Sequence, residues 1–238
     1  MFTTINQSVF AFVNGYAGQN ALLDAFVLEL MNNHIFKGVI VAMVLVALWA
    51  SHGDRPEQRR TGVISTILIS MVGIFIGRLL AKTLPFSLRP INTPDLVVNI
   101  PIGSVANVLE GWSSMPSDHA VMYFALATSI FLISHWVGAF LFVHAAIVVS
   151  LTRVFAGVHW PLDVVVGAAI GISTALVLHK PMTRMLTRFD VVGLVSHYSV
   201  IAYPTLFFVL LQIGTMYEPL RRMLSTSLFL VQTSIAGG

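Results

Sequence analysis

Three short clusters in this sequence contain residues that could bind an anion or transfer a proton and that lie close to long apolar segments. The clusters are Lys82 to Arg89, Pro116 to His119, and Arg153 to Asp163. Only 10% of the residues are charged, and ionisable groups next to long apolar segments are expensive to place. Clusters of this kind therefore indicate a functional site rather than a solvated surface.

The first and third clusters supply the cations Lys82, Arg89 and Arg153. Three positive charges without a matching group of carboxylates favour a multiply charged anion, and phosphate fits their donor geometry. In the second cluster, Ser117 precedes an apolar run and is expected to cap a helix. The free N–H groups of a helix N-terminus favour a bound phosphate, and His119 in the first turn would face it.

The third cluster also predicts a nucleophile. His159 and Asp163 are four residues apart, so they share a face if a helix begins near Trp160. A carboxylate bonded to one ring nitrogen fixes the tautomer and leaves the other nitrogen free to attack. Two histidines with separate supports suggest a nucleophile and a general acid. We predict no metal, because the pocket is cationic with few carboxylates and the chain has no cysteine.

Each cluster also has a structural explanation. Lys82 and Arg89 could be helix-end residues whose charges reach the interface, Ser117 could be a simple cap, and His159 with Asp163 could be a structural pair. All three clusters occur in this order, and the span arithmetic below places them on one face of a membrane. That combination weakens the structural explanations. The remaining histidines lack such neighbours and are interpreted as turn, interface or packing residues: His34, His52, His135, His144, His179 and His197.

The elements that must position these residues are membrane helices. The chain of 238 residues is 56% hydrophobic, its mean hydropathy is +0.85, and a soluble domain would carry about 25% charged residues. This composition excludes a soluble globular protein and predicts an all-α, polytopic membrane bundle. We expect about six transmembrane helices, each needing about 20 apolar residues. Their apolar stretches are Gly38–Ser51, Thr61–Gly77, Ala120–Thr152 (two spans, divided at Ser134-His135-Trp136), Val164–His179 and Val191–Tyr217.

Basic residues predict the orientation of these spans. One group lies between the first two spans and another between the fifth and sixth, and both loops are expected to be cytoplasmic. Counting crossings then puts all three clusters on the opposite face. The two groups are Arg55, Arg59 and Arg60, and Lys180, Arg184 and Arg188.

We treat residues 1–238 as a single domain whose motif core is 82–163. Residues 1–34 contain no Lys or Arg, so they lack the basic region of a signal peptide. Within them, Phe2–Tyr16 and Asn20–Met31 are amphipathic and are expected to lie along the membrane surface, with a further crossing left open. Whether the segment after Tyr217 crosses is also open.

In order, the motifs Lys-x6-Arg-Pro, Pro-Ser-x-His and Arg-x5-His-x3-Asp resemble those of the type 2 phosphatidic acid phosphatase superfamily, in its integral-membrane lipid phosphatase branch. The resemblance implies that Lys82, Arg89, Arg153 and Ser117 hold the phosphate. It also implies that His159, oriented by Asp163, forms a phosphohistidine, that His119 protonates the leaving group, and that neither a metal nor another cofactor is required.

The second motif departs from the family pattern, because Asp118 stands where Gly is usual. We place Asp118 among the phosphate-binding residues, although its charge would weaken phosphate binding unless a cation offsets it. A cation one helical turn before Lys82, Arg78, is a candidate to balance Asp118 and hold a second phosphate; the alternative is a helix-end anchor. A second departure, Thr152 for the usual Ser, keeps the hydroxyl.

The tetrapeptide Pro-Ser-Asp-His resembles bacterial undecaprenyl-diphosphate phosphatases. The expected function is hydrolysis of a polyprenyl diphosphate to its monophosphate, at the periplasmic face of a bacterial inner membrane. The expected partners are this lipid and the surrounding membrane, with no nucleic acid. Open alternatives are phosphatidic acid, phosphatidylglycerophosphate or lipid A as substrate, phosphate transfer to another lipid, and a non-catalytic lipid-phosphate carrier or flippase.

Overall fold

The computed structural model describes residues 2–52, 55–104, 111–216 and 223. The regular elements in these ranges are helices, and the ranges contain no β-strand. A π-helical turn, Ile35–Val39, precedes the helix Ile40–Ala50, and another, Ala145–Leu151, joins the helix His135–His144 to the helix Thr152–Phe155. The helices are α1 Phe2–Asn14, α2 Ala21–Asn32, α3 Ile40–Ala50, α4 Pro56–Thr83, α5 Asp118–Phe131, α6 His135–His144, α7 Thr152–Phe155, α8 Pro161–Arg188, α9 Val191–His197 and α10 Ser199–Gly214.

Three of the described helical stretches are long and apolar enough to cross a membrane: α4, the continuous stretch His135–Phe155, and α8. Two bent pairs, α2 with Ile35–Ala50 at 58° and α9 with α10 at 113°, raise the number of candidate spans to five. The structure thus contains several apolar helices, as a multi-pass membrane protein does. The predicted number of six transmembrane helices is not confirmed. The difference arises at α5, whose 14 residues extend about 21 Å, less than a hydrocarbon core of about 30 Å.

The predicted division between the third and fourth spans is confirmed. Helix α5 ends at Phe131, and α6 begins at His135 with Ser134 at its N-cap. Between them Ser134 donates its backbone N–H to Ile130 O at 2.7 Å. This turn sends the chain back toward the residues that precede α5.

Helix α5 forms the centre of the bundle. It packs against α4, α6 and α8, and Met122, Tyr123, Leu126 and Ile130 are almost completely buried. Because its apolar side chains are buried on every face, α5 must be enclosed by other helices. The sequence gives it no amphipathic stripe.

Glycines allow α8 to approach α5 closely. A Cβ atom at Gly171 would lie 2.3 Å from Val121 O, and one at Gly167 would lie 2.6 Å from Ser117 O. Only a residue without a side chain fits at such helix–helix contacts. The close approach brings the first turn of α8 beside the first turn of α5, where Ser117 N–H donates to Asp163 O at 3.1 Å.

The bundle therefore has two distinct ends. We call "site end" the end formed by the C-terminus of α4 and the N-termini of α5 and α8. The "opposite end" is formed by the N-terminus of α4, the α5–α6 turn and the C-terminus of α8. With 28 residues each, α4 and α8 separate the two ends by about 42 Å.

The N-terminal helices pack against the site end. Asn14 donates to Phe155 O at 2.8 Å, Leu162 N–H donates to the Asn6 side-chain oxygen at 2.9 Å, and the rings of Phe10 and Trp160 lie 5.1 Å apart. Residues predicted as a separate amphipathic segment thus cover the loop between α7 and α8.

Candidate active site

The second cluster forms the start of α5, as predicted. Ser117 is completely buried and is the N-cap residue, and its hydroxyl oxygen accepts from Ala120 N–H at 3.5 Å. Asp118 and His119 follow in the first turn. The dipole and free N–H groups of this helix start therefore face the site end, where they favour an anion.

His159 lies in the loop between α7 and α8 and is buried. Its Nδ1 is 2.9 Å from the backbone oxygen of Ser114, and its Nε2 is 3.3 Å from a terminal nitrogen of Arg89. A carbonyl oxygen only accepts, so Nδ1 carries the proton and donates it to Ser114. Nε2 is then unprotonated, and its lone pair accepts a hydrogen bond from Arg89.

Asp163 is also buried, in the first turn of α8. Its carboxylate accepts from Trp160 N–H at 2.8 Å and from the Ser114 hydroxyl, and it lies 3.6 Å from His159 Nδ1. The predicted helix start near Trp160 is confirmed, and so is the proximity of Asp163 to His159. The direct hydrogen bond of His159 Nδ1, however, goes to the Ser114 carbonyl. Asp163 supports this contact by accepting from the Ser114 hydroxyl.

Two arginines lie near the two histidines, Arg89 beside His159 and Arg153 near His119. Arg89 is buried and donates to Val158 O at 2.8 Å, and its Nε has no hydrogen-bond partner in the described part of the chain. Arg153 is buried at the end of the α6–α7 stretch and donates to Val149 O at 2.6 Å. The guanidinium of Arg153 interacts electrostatically with the charged groups of Arg89 and Asp118. It also interacts electrostatically with the ring of His119. One concentrated positive region therefore adjoins the two histidines.

The loop that carries Arg89 is fixed to the loop that carries His159. Ile91 N–H donates to Gly157 O at 3.0 Å. Gly157 has a φ of +71°, and a Cβ atom there would lie 2.9 Å from a methyl carbon of Val98. A left-handed backbone in such a narrow space favours glycine, and it allows the chain to turn from Arg153 to His159.

The site lies within a region that matches a known family. Residues 61–185, from α4 through most of α8, match the family model described as the PAP2 superfamily. The chain belongs to the PAP2 superfamily. Membership supports a phosphatase that acts on lipid phosphates.

Individual PAP2 relatives resemble most of the chain. It is 28% identical over 175 residues to a bacitracin transport permease protein, BcrC of Bacillus licheniformis, covering 74% of this chain and 79% of the relative. It is also 28% identical over 173 residues to YbjG of Escherichia coli (strain K12), whose name provisionally describes it as an undecaprenyl-diphosphatase; this match covers 72% of the chain and 79% of the relative.

A solved PAP2-like structure shows a similar fold. The crystal structure of LpxE from Aquifex aeolicus is 29% identical and superposes with a TM-score of 0.51, covering 74% of this chain and 95% of that chain. The overall fold of this chain is therefore similar to that of an experimentally determined structure.

The position at which this PAP2 sequence carries Asp instead of the usual Gly has two close neighbours. The Asp118 carboxylate lies 2.9 Å from His119 Nδ1 through one oxygen and 3.3 Å from Arg78 through the other. Asp118 was predicted to bind phosphate. The structure pairs it with His119 and with Arg78, the cation expected to offset its charge, and phosphate binding by Asp118 stays a prediction.

Lys82 is the one predicted site residue that the structure leaves apart. It is exposed in the last turn of α4, and it makes no hydrogen bond or ion pair within the described ranges. It lies one helical turn beyond Arg78, so both project from the same face of α4. Lys82 thus stands at the outer edge of the site.

Sequence reasoning missed two residues. Ser114 carries no motif, and its role depends on a backbone oxygen that every residue has. Lys37 is buried on the turn before α3, and its charge acts on His119. A lysine directly before an apolar run was a usable signal, because buried cations in membrane proteins are usually functional.

Burial sets the charge state of His159. It lowers the pKa of this imidazole from its ordinary value, because an apolar environment disfavours the charged form, while neighbouring Asp163 opposes the shift. His159 is therefore neutral at pH 7, as a nitrogen nucleophile must be. Within the described ranges, no group of three or more His, Asp or Glu residues could hold a metal ion.

Proposed function

We propose that the protein hydrolyses the terminal phosphate of a polyprenyl diphosphate, with undecaprenyl diphosphate as the expected substrate, through a phosphohistidine on His159. The observation that carries this proposal is the orientation of His159, with Nδ1 bonded to the Ser114 carbonyl and Nε2 toward Arg89. The name of YbjG supports the choice of substrate.

The first step is attack on phosphorus. Arg89, Arg153 and the N-terminus of α5 at Ser117 hold the terminal phosphate, and Lys82 contributes its charge from the edge of the site. When Arg89 donates to the phosphate oxygens instead of to Nε2, the lone pair of His159 Nε2 forms a bond to phosphorus while the bond from phosphorus to the bridging oxygen breaks. Fixed positive groups stabilise the charge that develops on the phosphate oxygens.

His119 serves both steps. In the complex with the anionic substrate it is an imidazolium, whose Nδ1–H donates a hydrogen bond to Asp118 and whose Nε2 proton goes to the leaving oxygen, which departs as the lipid monophosphate. It then takes a proton from the water that attacks the phosphohistidine, which releases inorganic phosphate and restores His159. One group that is first acid and then base is the expected pattern for a two-step displacement.

Asp118 is a positioning residue for His119 in this mechanism. Its carboxylate accepts the Nδ1 proton at 2.9 Å, so the second proton of the imidazolium lies on Nε2 and points toward the leaving group. Arg78 holds the other carboxylate oxygen. This role replaces phosphate binding as the function we propose for Asp118.

A direct test uses the purified protein with undecaprenyl diphosphate, phosphatidic acid, phosphatidylglycerophosphate and lipid A, each without an acceptor lipid. Release of inorganic phosphate, fastest from the diphosphate, is the expected result. Release that requires a second lipid would identify a phosphotransferase, and binding without release would identify a carrier. The same assay in excess chelator tests metal independence, and complete loss restored by magnesium would contradict the mechanism.

We also propose that the site end faces the periplasm, because the basic loops lie at the opposite end. The chain has no cysteine, so single cysteines can report topology. Phe86→Cys, beyond α4 at the site end, should react with an impermeant maleimide in intact spheroplasts, and Thr187→Cys, near the end of α8, should react only after lysis. The reverse pattern would place the site in the cytoplasm.

A further inference from the structure

The opposite end of the bundle contains a cavity that the proposed reaction does not use. Its volume is about 1000 Å³, and it lies between the N-terminus of α4, the α5–α6 turn and the C-terminal part of α8. Four arginines line it, together with polar groups that include Thr183 and His179. The arginines are Arg55, Arg59, Arg184 and Arg188.

Among the described residues, no carboxylate lines this cavity or forms an ion pair with its arginines. Arg59 donates to the Ser51 hydroxyl at 3.2 Å. Several guanidinium groups around one concave surface without a counter-charge are suited to phosphate oxygens.

Topology alone explains why this end is basic but not why the arginines meet in a cavity. Two other basic residues of the same segments stay outside it. Arg60 donates to Trp49 O at 3.3 Å and lies 5.6 Å above the Trp49 ring, and Lys180 is exposed on α8. These two residues meet the positive-inside requirement without lining the cavity, so they serve as matched controls.

The backbone at this end adds donors. Helix α4 begins at Pro56, and Arg55 at its N-cap makes no side-chain capping hydrogen bond. The first N–H groups of a 28-residue helix are therefore left for water or for a ligand. A helix start beside four arginines reinforces the preference for an anion.

We propose that this cavity binds a phosphate-bearing group, with a phospholipid headgroup at the membrane surface as its expected source. Basic pockets between transmembrane helices favour headgroups of anionic lipids, and the volume exceeds that of a single phosphate. A bound headgroup would join the ends of α4 and α8 on the side of the bundle away from His159. The proposal rests on the opposite end alone and does not depend on the reaction at the site end.

Native mass spectrometry of the full-length protein in detergent tests the proposal, with phosphatidylglycerol and inorganic diphosphate as separate probes. The cavity variant is R184Q/R188Q, and the control R60Q/K180Q removes the same charge from the same end. We expect the cavity variant to bind phosphatidylglycerol about tenfold more weakly, as for the loss of one or two charge-assisted hydrogen bonds. The control should bind like the unmodified protein.

The two probes distinguish the source of the phosphate. Loss of phosphatidylglycerol in the cavity variant supports a lipid headgroup, and arginine-dependent binding of diphosphate alone supports a free phosphate compound. Equal retention of both probes by the cavity variant, the control and the unmodified protein would overturn the proposal. The single variants R184Q and R188Q provide the same comparison if the double variant does not fold.

Discussion

The site contains two histidine–aspartate pairs that differ in burial and in how they are connected. The side chains of His159 and Asp163 are 4% and 3% exposed, and Ser114 mediates their contact at 3.6 Å. The side chains of His119 and Asp118 are 23% and 29% exposed and meet directly at 2.9 Å. We call His159 with Asp163 the inner pair, because it is buried, and His119 with Asp118 the outer pair, because it is more exposed.

The difference corresponds to the two tasks proposed for the histidines. A nucleophile must be neutral and fixed in orientation, which burial and a backbone acceptor provide. An acid that later activates water must be accessible both to the leaving group and to solvent. The difference in burial therefore supports the proposal that His159 attacks phosphorus and His119 transfers protons.

The largest effect is expected for His159→Ala. Without this nitrogen the proposed phosphohistidine cannot form, so we expect no phosphoenzyme with any substrate. Acid-labile labelling with a phosphate-labelled lipid measures this directly. Label retained in His159→Ala would mean that the inner pair does not provide the nucleophile.

His119→Ala should be the next most severe change. Loss of a general acid typically costs about 10²–10⁴-fold in rate, but the phosphoenzyme should still form. The loss should be smaller for an activated aryl phosphate, whose leaving group departs without a proton. Measuring turnover and trapped label for both substrates checks this, and the same loss with the aryl phosphate would argue against an acid role unless phosphoenzyme hydrolysis limits its turnover.

Asp163→Asn should reduce turnover by about 10- to 100-fold, the usual range for a supporting residue that orients its neighbour. It should also move the acid limb of the pH profile of kcat/KM to lower pH. Asp163 opposes the burial that lowers the pKa of His159, so removing its charge lowers that pKa further and keeps the ring neutral at more acidic pH.

Ser114→Ala is the matched comparison for the inner pair. It removes the hydroxyl that donates to Asp163 but keeps the carbonyl that accepts from His159. We expect a smaller loss than for Asp163→Asn and no movement of the acid limb. A larger loss would show that the hydroxyl, rather than the carbonyl, orients the ring.

The smallest effects are expected for Asp118 and Arg78, the residues proposed to position His119. Asp118→Asn and Arg78→Ala should each reduce kcat about tenfold with little change in KM, and equally for diphosphate and monophosphate lipids, since both variants disturb His119. If Arg78→Ala loses much more kcat with diphosphate than with monophosphate lipids, the result would instead favour the sequence-based hypothesis that Arg78 holds the second phosphate. Asp118→Glu provides a check, because partial recovery is expected only for a carboxylate that positions the ring.

The sequence by itself determined the class of protein and most of the site's residues. Hydropathy defines a membrane helical bundle, because lipid requires long apolar segments with internally satisfied backbones. Local rules located the helix start at Ser117, the break at Ser134 and the shared face of His159 and Asp163. Each of these depends on neighbours within about four positions along the chain, which the sequence shows directly.

Only the tertiary structure decided how those residues are connected. Ser114 acts through a backbone oxygen, which no residue type reveals, and Arg78 meets Asp118 across 40 positions. The length of α5 depends on where a buried helix unwinds, so the number of spans could not be counted from hydropathy. Lys82 lies at the exposed edge of the site, and Lys37 is buried near His119. Long-range packing, rather than spacing in the sequence, determines which charges come together.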